Sequence, residues 1–366
     1  PLGEMNGIAP GASIIAKSAG EKLLVSEGLL GRVIDPMGFP LDGKPLPVDG
    51  KEVPIFRSPP PALGRMRIAE RCDVGIKAVN SLLTVGRGQR VAIMAGSGVG
   101  KSTFLGMIAK HARTEVNIIA LVGERGREVR EFIEKDLGPE GMARSVIIVA
   151  TSDSSALLRI RAAFVATAVA EYFRDAGCNV TLMVDSITRL CMAQREIGLA
   201  IGEPPSTSGY TPSVFAMLPR LLERAGNGLG KGSITGFYTV LVEGDDMNEP
   251  IADAVRGILD GHIVLSRKLA SKGQFPAIDI LQSVSRVMVE LVNSEEQELA
   301  IGARRVLADY SEVEDLVTIG AYKAGQNPRV DYAVKHIESV REFLRQKPHE
   351  KMSNEESLEI LKSALL

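Results

Sequence analysis

The chain has 366 residues, enough for about two or three domains and a large buried core. Hydrophobic residues make up 45% and charged residues 24%, which is ordinary globular usage and excludes a disordered or collagen-like chain. The 43 Lys and Arg and 45 Asp and Glu leave a net charge of −2, and aromatic residues are only 4%, so a broad affinity for nucleic acid is not expected. No apolar run is long enough to cross a bilayer, and the three cysteines and four histidines show no metal-ligand spacing, which favours reduced structural thiols in a cytosolic protein.

The amino-terminal stretch is rich in turn-forming residues. Residues 1–3 (Pro-Leu-Gly) are interpreted as the remainder of a cleaved expression tag. Short apolar runs between Gly and Pro residues over 4–60 predict short strands and turns, and the prolines at 59–61 predict an extended linker.

From residue 89 the pattern changes to apolar runs that alternate with helical stretches. The runs predict strands over 90–95, 117–122, 146–150, 180–184 and 234–242, and the intervening periodicity predicts helices over 103–111, 127–136 and 154–177. Alternation of this kind indicates an α/β fold with a mainly parallel sheet covered on both faces. After residue 288 the strand signals fade, and helices are predicted over 289–310, 311–319, 330–345 and 354–365 as a separate helical domain.

The most informative motif follows the first predicted strand of this core. Residues 95–102 (Ala-Gly-Ser-Gly-Val-Gly-Lys-Ser) match the phosphate-binding P-loop except that its first glycine is Ala95. Glycines let backbone N–H groups approach phosphates, and the helix that follows directs its positive end at the anion. The motif predicts a nucleotide site in which Lys101 binds the phosphates and Ser102 binds Mg²⁺. Residues expected to surround the phosphates are Gly96, Ser97, Gly98, Val99, Gly100 and Thr103.

A second acidic group is needed to hold the magnesium ion, and Asp185 ends the apolar run 180–184. Ligands bind at the carboxyl edge of parallel sheets, so we favour a magnesium role over helix capping. Hydrolysis also needs a group that orients the attacking water, and Glu124 follows the strand predicted over 117–122. From spacing alone, a solvated charged turn explains Glu124 equally well.

At this point the combined motifs resemble a known family. The P-loop, residues 123–132 (Gly-Glu-Arg-Gly-Arg-Glu-Val-Arg-Glu-Phe), 195–200, 202–205 and 283–286 (Ser-Val-Ser-Arg) resemble the flagellar and type III secretion export ATPases, relatives of the rotary ATP synthase α and β subunits. The resemblance covers roughly residues 28–350 and implies a RecA-like P-loop NTPase core followed by a helical domain. It predicts a tag and a remnant of an amino-terminal β-barrel over 1–30, the ATPase domain over 31–288 and the helical domain over 289–366. Since most of that barrel is missing, a truncated chain is expected.

The resemblance also assigns roles residue by residue. It implies that Glu124 is the catalytic glutamate, that Arg125 and Arg189 lie beside the phosphates, and that Asp185 is linked to Mg²⁺. It further implies that Phe275 packs on adenine, although simple core packing is the alternative. Arg286 is implied to be an arginine finger that acts in a neighbouring subunit's site, the alternative being an ordinary surface arginine.

The implied function is Mg²⁺-dependent ATP hydrolysis by a homohexamer that supports flagellar protein export, with a monomer as the alternative for this truncated chain. The implied partners are a stalk protein, a regulator, the export gate and chaperone–cargo complexes, at the cytoplasmic face of the inner membrane with only peripheral attachment and no nucleic acid. Alternatives are an injectisome ATPase, a catalytic subunit of a rotary ATP synthase, a ring-shaped RNA motor and a docking platform without catalysis.

Overall fold

The computed structural model describes residues 9, 11–13, 15, 21–47, 49–242, 244 and 246–366. The interpretation of residues 1–3 as a tag, and much of the predicted barrel remnant over 1–30, lie outside the described residues.

A nine-stranded sheet forms the centre of the described chain, with strand order β11-β10-β4-β9-β7-β5-β6-β2 and β8 paired to β9. Neighbouring strands from β10 to β2 are parallel, whereas β11 runs antiparallel to β10 and β8 antiparallel to β9. The strands are β2 (Arg32–Ile34), β4 (Arg90–Ala95), β5 (Val116–Val122), β6 (Ser145–Ala150), β7 (Asn179–Asp185), β8 (Gly226–Asn227), β9 (Ser233–Leu241), β10 (Gly261–Leu265) and β11 (Ile278–Ser285). The predicted mainly parallel α/β sheet is therefore confirmed, and all five predicted core strands are present.

Helices cover both faces of this sheet, and every residue of β5 and β6 is buried as a result. The helices of this part are α1 (Lys77–Leu82), α2 (Lys101–His111), α3 (Gly126–Glu131), α4 (Gly138–Ala143), α5 (Ala156–Asp175), α6 (Ile187–Ala200), α7 (Pro212–Leu222), α8 (Pro250–Ile258), α9 (Arg267–Ser271) and α10 (Met288–Leu291). One π-helical turn, Phe132–Leu137, continues α3, so the helix predicted over 127–136 is present with a local change of hydrogen bonding. A separate antiparallel pair joins β1 (Lys22–Val25) to β3 (Lys51–Pro54).

Three helices complete the carboxyl-terminal part: α11 (Ser294–Thr318), α12 (Pro328–Leu344) and α13 (Asn354–Ala364). Capping boxes fix the starts of α11 and α13, with Asn293 and Ser353 as the capping residues. The predicted break at Ser311 is wrong, because the Ser311 hydroxyl donates to the Ala308 carbonyl and α11 continues through it.

Candidate functional site

The P-loop joins the end of β4 to the start of α2 at the carboxyl edge of the parallel sheet. Gly98 and Gly100 have φ angles of +78° and +91°, which side-chain-bearing residues rarely adopt. Val99 is buried and anchors the loop, whereas Ser97 and Gly98 are exposed. Ala95 is the last residue of β4, and its carbonyl accepts a hydrogen bond from the Val242 N–H at 3.1 Å, so this position lies in the strand and an alanine fits there.

Lys101 is the first residue of α2 and pairs with both predicted acidic residues. Its Nζ lies 3.2 Å from Glu124 Oε1 and 2.5 Å from Asp185 Oδ1. Burial alone would lower the pKa of Lys101, but the carboxylates of Asp185 and Glu124 outweigh it and the pKa is raised. The structure thus brings the lysine, the glutamate and the aspartate together, as the sequence predicted.

Asp185 ends β7 and is almost fully buried. The hydroxyl of Thr239, on the adjacent strand β9, donates to Asp185 Oδ1 at 2.7 Å. The register of the sheet places these residues together, because Val184 pairs with Tyr238. Lys101 and Thr239 therefore both donate to the same oxygen, Asp185 Oδ1, and orient the carboxylate.

Glu124 follows β5 and Gly123, and it lies at the entrance of α3. Burial raises the pKa of the Glu124 carboxyl, against the opposing effect of Lys101. A hydrogen bond with Glu124 lowers the pKa of Glu128, one turn further along. Arg125 is largely exposed and donates to Glu128 Oε1 at 3.3 Å.

The P-loop, Lys101 and Glu124 line one open cavity of about 840 Å³, whereas Asp185 is buried beside Lys101. Its walls include the P-loop, with Lys101, Ser102 and Thr103, together with Glu124, Arg125 and Arg189. The aliphatic part of Arg189 packs against Gly123, where an added Cβ would lie 2.9 Å from Arg189 Cβ, and Arg189 Nε is buried with no partner among the described residues. A cavity of this size with convergent polar groups suits a small-molecule ligand.

Phe275 lies beside the P-loop, on the segment between α9 and β11. An added Cβ on Gly100 would lie 3.7 Å from two carbons of the Phe275 ring. The side chain is 48% exposed, so the core-packing alternative is not supported by its surroundings. An exposed aromatic ring next to a phosphate loop is available to pack on a planar base.

Arg286 is the one predicted site residue that lies far from this cavity in its own chain. It follows β11, whose Ser285 pairs with Gly261 at the start of β10, so Arg286 lies at the amino edge of the parallel strands. Its side chain is exposed and donates from Nη2 to the Arg256 carbonyl at 3.0 Å.

Three residues of the site had not been predicted from sequence. Arg267 lines the cavity at the end of β10, a strand that the sequence patterns did not reveal. Thr239 is known only from the sheet register, and Glu128 lay in a recognised motif but received no role.

The geometry defines a P-loop nucleoside triphosphatase: a phosphate loop, a lysine and Glu124 face one cavity at the carboxyl edge of a parallel sheet, and the buried Asp185 contacts that lysine. Comparisons with known proteins agree. Residues 75–285 match the ATP synthase alpha/beta family nucleotide-binding domain, and residues 292–363 match the T3SS EscN ATPase C-terminal domain. The flagellum-specific ATP synthase of Bacillus subtilis is 57% identical over 99% of this chain and 83% of its own length. A type 3 secretion system ATPase of Xanthomonas euvesicatoria is 50% identical over 99% of this chain and 82% of its own length.

Solved structures of one type III secretion ATPase are also similar to this chain. The assembled ATPase EscN of the enteropathogenic E. coli type III secretion system superposes with a TM-score of 0.90 and 48% identity, covering 94% of this chain and 84% of that one. EscN in complex with its central stalk EscO gives a TM-score of 0.88 and 47% identity, covering 94% and 83%. The chain therefore belongs to the family of flagellum-specific ATP synthases and type III secretion system ATPases, and it is an ATPase. The family predicted from its motifs is confirmed.

Proposed function

We propose that this chain hydrolyses Mg²⁺-bound ATP at a site completed by a neighbouring copy, and that hydrolysis supports protein export through the flagellar type III secretion apparatus. The observation that carries the proposal is the contact of Lys101 with both Glu124 and Asp185 at the mouth of the P-loop. The names of the most similar relatives support the export role, and the matched carboxyl-terminal model favours the export branch over a rotary synthase subunit.

The pairing of Lys101 suggests how the site responds to nucleotide. Phosphate oxygens that enter the P-loop compete with Glu124 and Asp185 for the Lys101 ammonium group. Glu124 then becomes free to accept a hydrogen bond from the attacking water, and to hold the proton that this water gives up. Arg125, Arg189 and the previously unrecognised Arg267 supply positive charge around the transferred phosphoryl group.

The residues present fit a magnesium ion. Hydroxyl and carboxylate oxygens are the ligands that Mg²⁺ prefers, and Ser102 and Asp185 would contribute them, directly or through water. Among the described residues no group of three or more His, Cys, Asp or Glu side chains could hold a metal by itself, which suits an ion bound mainly by substrate phosphates and water. When bound, the ion would neutralise charge on the phosphate oxygens.

A site shared between copies follows from the place of Arg286. Its side chain is exposed at the edge of the sheet opposite its own P-loop. Exposed apolar side chains lie near it in the chain, at Leu281, Val284 and Val289, as expected for a face that another subunit covers. We propose a hexamer in which Arg286 acts as an arginine finger for the neighbour, while Phe275 packs on the adenine of its own site. The assembled state of EscN supports this arrangement.

A stalk protein is the partner best supported, because EscN is seen in complex with its central stalk EscO. A regulator, the export gate and chaperone–cargo complexes remain parts of the proposal, as does peripheral attachment at the cytoplasmic face of the inner membrane. No helix of the described residues is long and apolar enough to span a membrane. We also propose the division at residues 30 and 288 into a barrel remnant, an ATPase domain and a helical domain.

The decisive experiment replaces Glu124 by glutamine. Turnover should fall at least a hundredfold while binding of a fluorescent ATP analogue stays within twofold, because glutamine keeps the shape and loses the base; a positioned general base contributes about 10²–10⁴ in rate. The matched control is Glu131→Gln at the end of α3, which loses a surface pair with Arg127 and should leave turnover unchanged. Equal turnover of Glu124→Gln and wild type would remove Glu124 from the mechanism.

A further inference from the structure

The backbone of Arg286 is anchored to a single residue, Asp260, which lies between α8 and β10. The Arg286 N–H donates to the Asp260 carbonyl at 3.0 Å. Gln89 Nε2 donates to the same carbonyl at 3.1 Å and to Ser285 Oγ at 3.2 Å. Gln89, the residue just before β4, thus holds both Asp260 and Ser285, the residue before Arg286.

The Asp260 carboxylate is in turn fixed to the first residue of β4. Arg90 donates to it in a bidentate manner, from Nε to Oδ2 and from Nη2 to Oδ1, each at 3.0 Å. The Arg90 backbone N–H adds a third bond to Oδ2 at 3.0 Å. A bidentate pair of this kind fixes direction as well as distance.

The ion pair between Arg90 and Asp260 is mostly shielded from water. The side chain of Arg90 is 13% exposed and that of Asp260 is 24% exposed. Burial acts to lower the pKa of Arg90, but the hydrogen bonds and charge of Asp260 outweigh it and the pKa is raised. β4 itself is held between β9 and β10, so it is a rigid support.

We propose that Asp260 is a positioning residue that fixes the arginine finger Arg286 to β4, so that it serves the neighbouring copy's site and not its own. The Arg286 guanidinium donates to the Arg256 carbonyl in the last turn of α8, four residues before Asp260. This inference rests on the proposed trans role of Arg286. It predicts that loss of the Asp260 carboxylate impairs hydrolysis in the neighbouring copy's site, while nucleotide binding in the chain's own site is kept.

The test uses mixed oligomers of full-length chains. Glu124→Gln has a dead site and an intact finger, and Arg286→Ala has an intact site and no finger, so a 1:1 mixture should recover about one quarter of wild-type activity if copies assemble at random around a ring. Asp260→Asn alone should lose at least tenfold in turnover, since misplacement of a reacting group by about 1 Å costs on the order of 10²-fold, with analogue binding within twofold of wild type. Mixed with Glu124→Gln it should recover activity; mixed with Arg286→Ala it should not.

Two variants guard against a folding artefact. Arg90→Lys keeps the charge and loses the bidentate geometry, and it should show the same pattern of recovery as Asp260→Asn. Glu223→Gln removes the other carboxylate on Arg90, which does not contact the Arg286 turn, and should keep more than half of wild-type turnover.

The outcomes separate the two proposals. If Glu124→Gln and Arg286→Ala fail to complement each other, the shared site is wrong and the role of Asp260 is overturned with it. If Glu124→Gln and Arg286→Ala do complement each other, the shared site stands. If Asp260→Asn and Arg90→Lys are then rescued by Arg286→Ala, or by neither partner, Asp260 does not position the finger. Wild-type turnover of Asp260→Asn overturns the inference as well.

Discussion

In the nucleotide-free protein, Lys101 neutralises two carboxylates that would otherwise face each other inside the site. Replacing Lys101 by methionine keeps much of the side-chain volume and removes the ammonium group. Glu124 and Asp185 then share a largely buried space without a cation, since their side chains are 15% and 4% exposed. We therefore expect Lys101→Met to destabilise the folded protein in addition to abolishing phosphate binding.

The magnitude follows from the burial of the group. Removing one partner of a buried ion pair costs about 3–5 kcal/mol. The lower end applies here, because Thr239 still donates to Asp185 and the cavity admits water. A loss of about 3 kcal/mol corresponds to a fall in melting temperature of roughly 4 °C for a cooperatively unfolding chain of 366 residues.

The loss should depend on pH with a definite sign. Without Lys101, the pKa of Glu124, already raised by burial, rises further above its value in the unfolded chain. The folded variant then binds a proton more readily than the unfolded chain, so its stability increases as the pH falls. The difference from wild type should therefore be largest near neutral pH and shrink on acidification.

Thermal unfolding of nucleotide-free protein at about pH 7.5 and about pH 5.5 measures both effects. The double variant Lys101→Met with Glu124→Gln is the control, and it should recover at least about 1 kcal/mol of the loss, because one of the two negative charges is gone. A Lys101→Met melting temperature equal to that of wild type at neutral pH would refute the reasoning, as would a loss that grows on acidification.

Three further predictions use other parts of the structure. Because burial raises the pKa of Glu124, turnover should fall on acidification at a higher pH than an ordinary glutamate titrates, about 4.3, and a fall that begins only below that pH would contradict this. Phe275→Ala should raise the KM for ATP roughly 5- to 100-fold, the equivalent of about 1–3 kcal/mol of stacking, with turnover at saturation little changed; Phe39→Ala, at an exposed position elsewhere, is the control. Arg224→Met should lower the free energy of unfolding in urea by about 3 kcal/mol, because the buried Glu171 carboxylate loses the bonds from Arg224 at 2.8 Å and 2.9 Å and keeps the more distant Arg57 at 3.7 Å; a second change, Glu171→Leu, should restore most of the loss.

The parts of the site that sequence predicts best are those fixed by local chemistry. The P-loop is continuous in the chain, and its glycines are needed where φ is positive. Asp185 could be placed at a sheet edge because the apolar run before it forms a buried strand. Ala95, a departure from the motif, is tolerated because it is the last residue of β4.

The features of the site that the sequence did not reveal depend on contacts between strands that are distant in the chain. β10 has five residues and includes His262, so its pattern is too short to separate from a loop, and Arg267 could not be placed at the sheet edge without it. Thr239 meets Asp185 only because β7 and β9 are neighbours in a given register. The predicted break at Ser311 failed because its hydroxyl bonds within the helix instead of ending it.

The same topology supports the proposal that Arg286 serves another copy. From Arg90 to Ala95, β4 rises five times by about 3.3 Å, so its two ends are roughly 17 Å apart. The P-loop follows one end, whereas Arg90 and Asp260 hold Arg286 at the other, and no single side chain spans that distance. Under the proposed trans role of Arg286, one rigid strand supports two different sites, its own through the P-loop and its neighbour's through Arg286. Nucleotide binding should thus survive in an isolated copy, while rapid hydrolysis should require assembly.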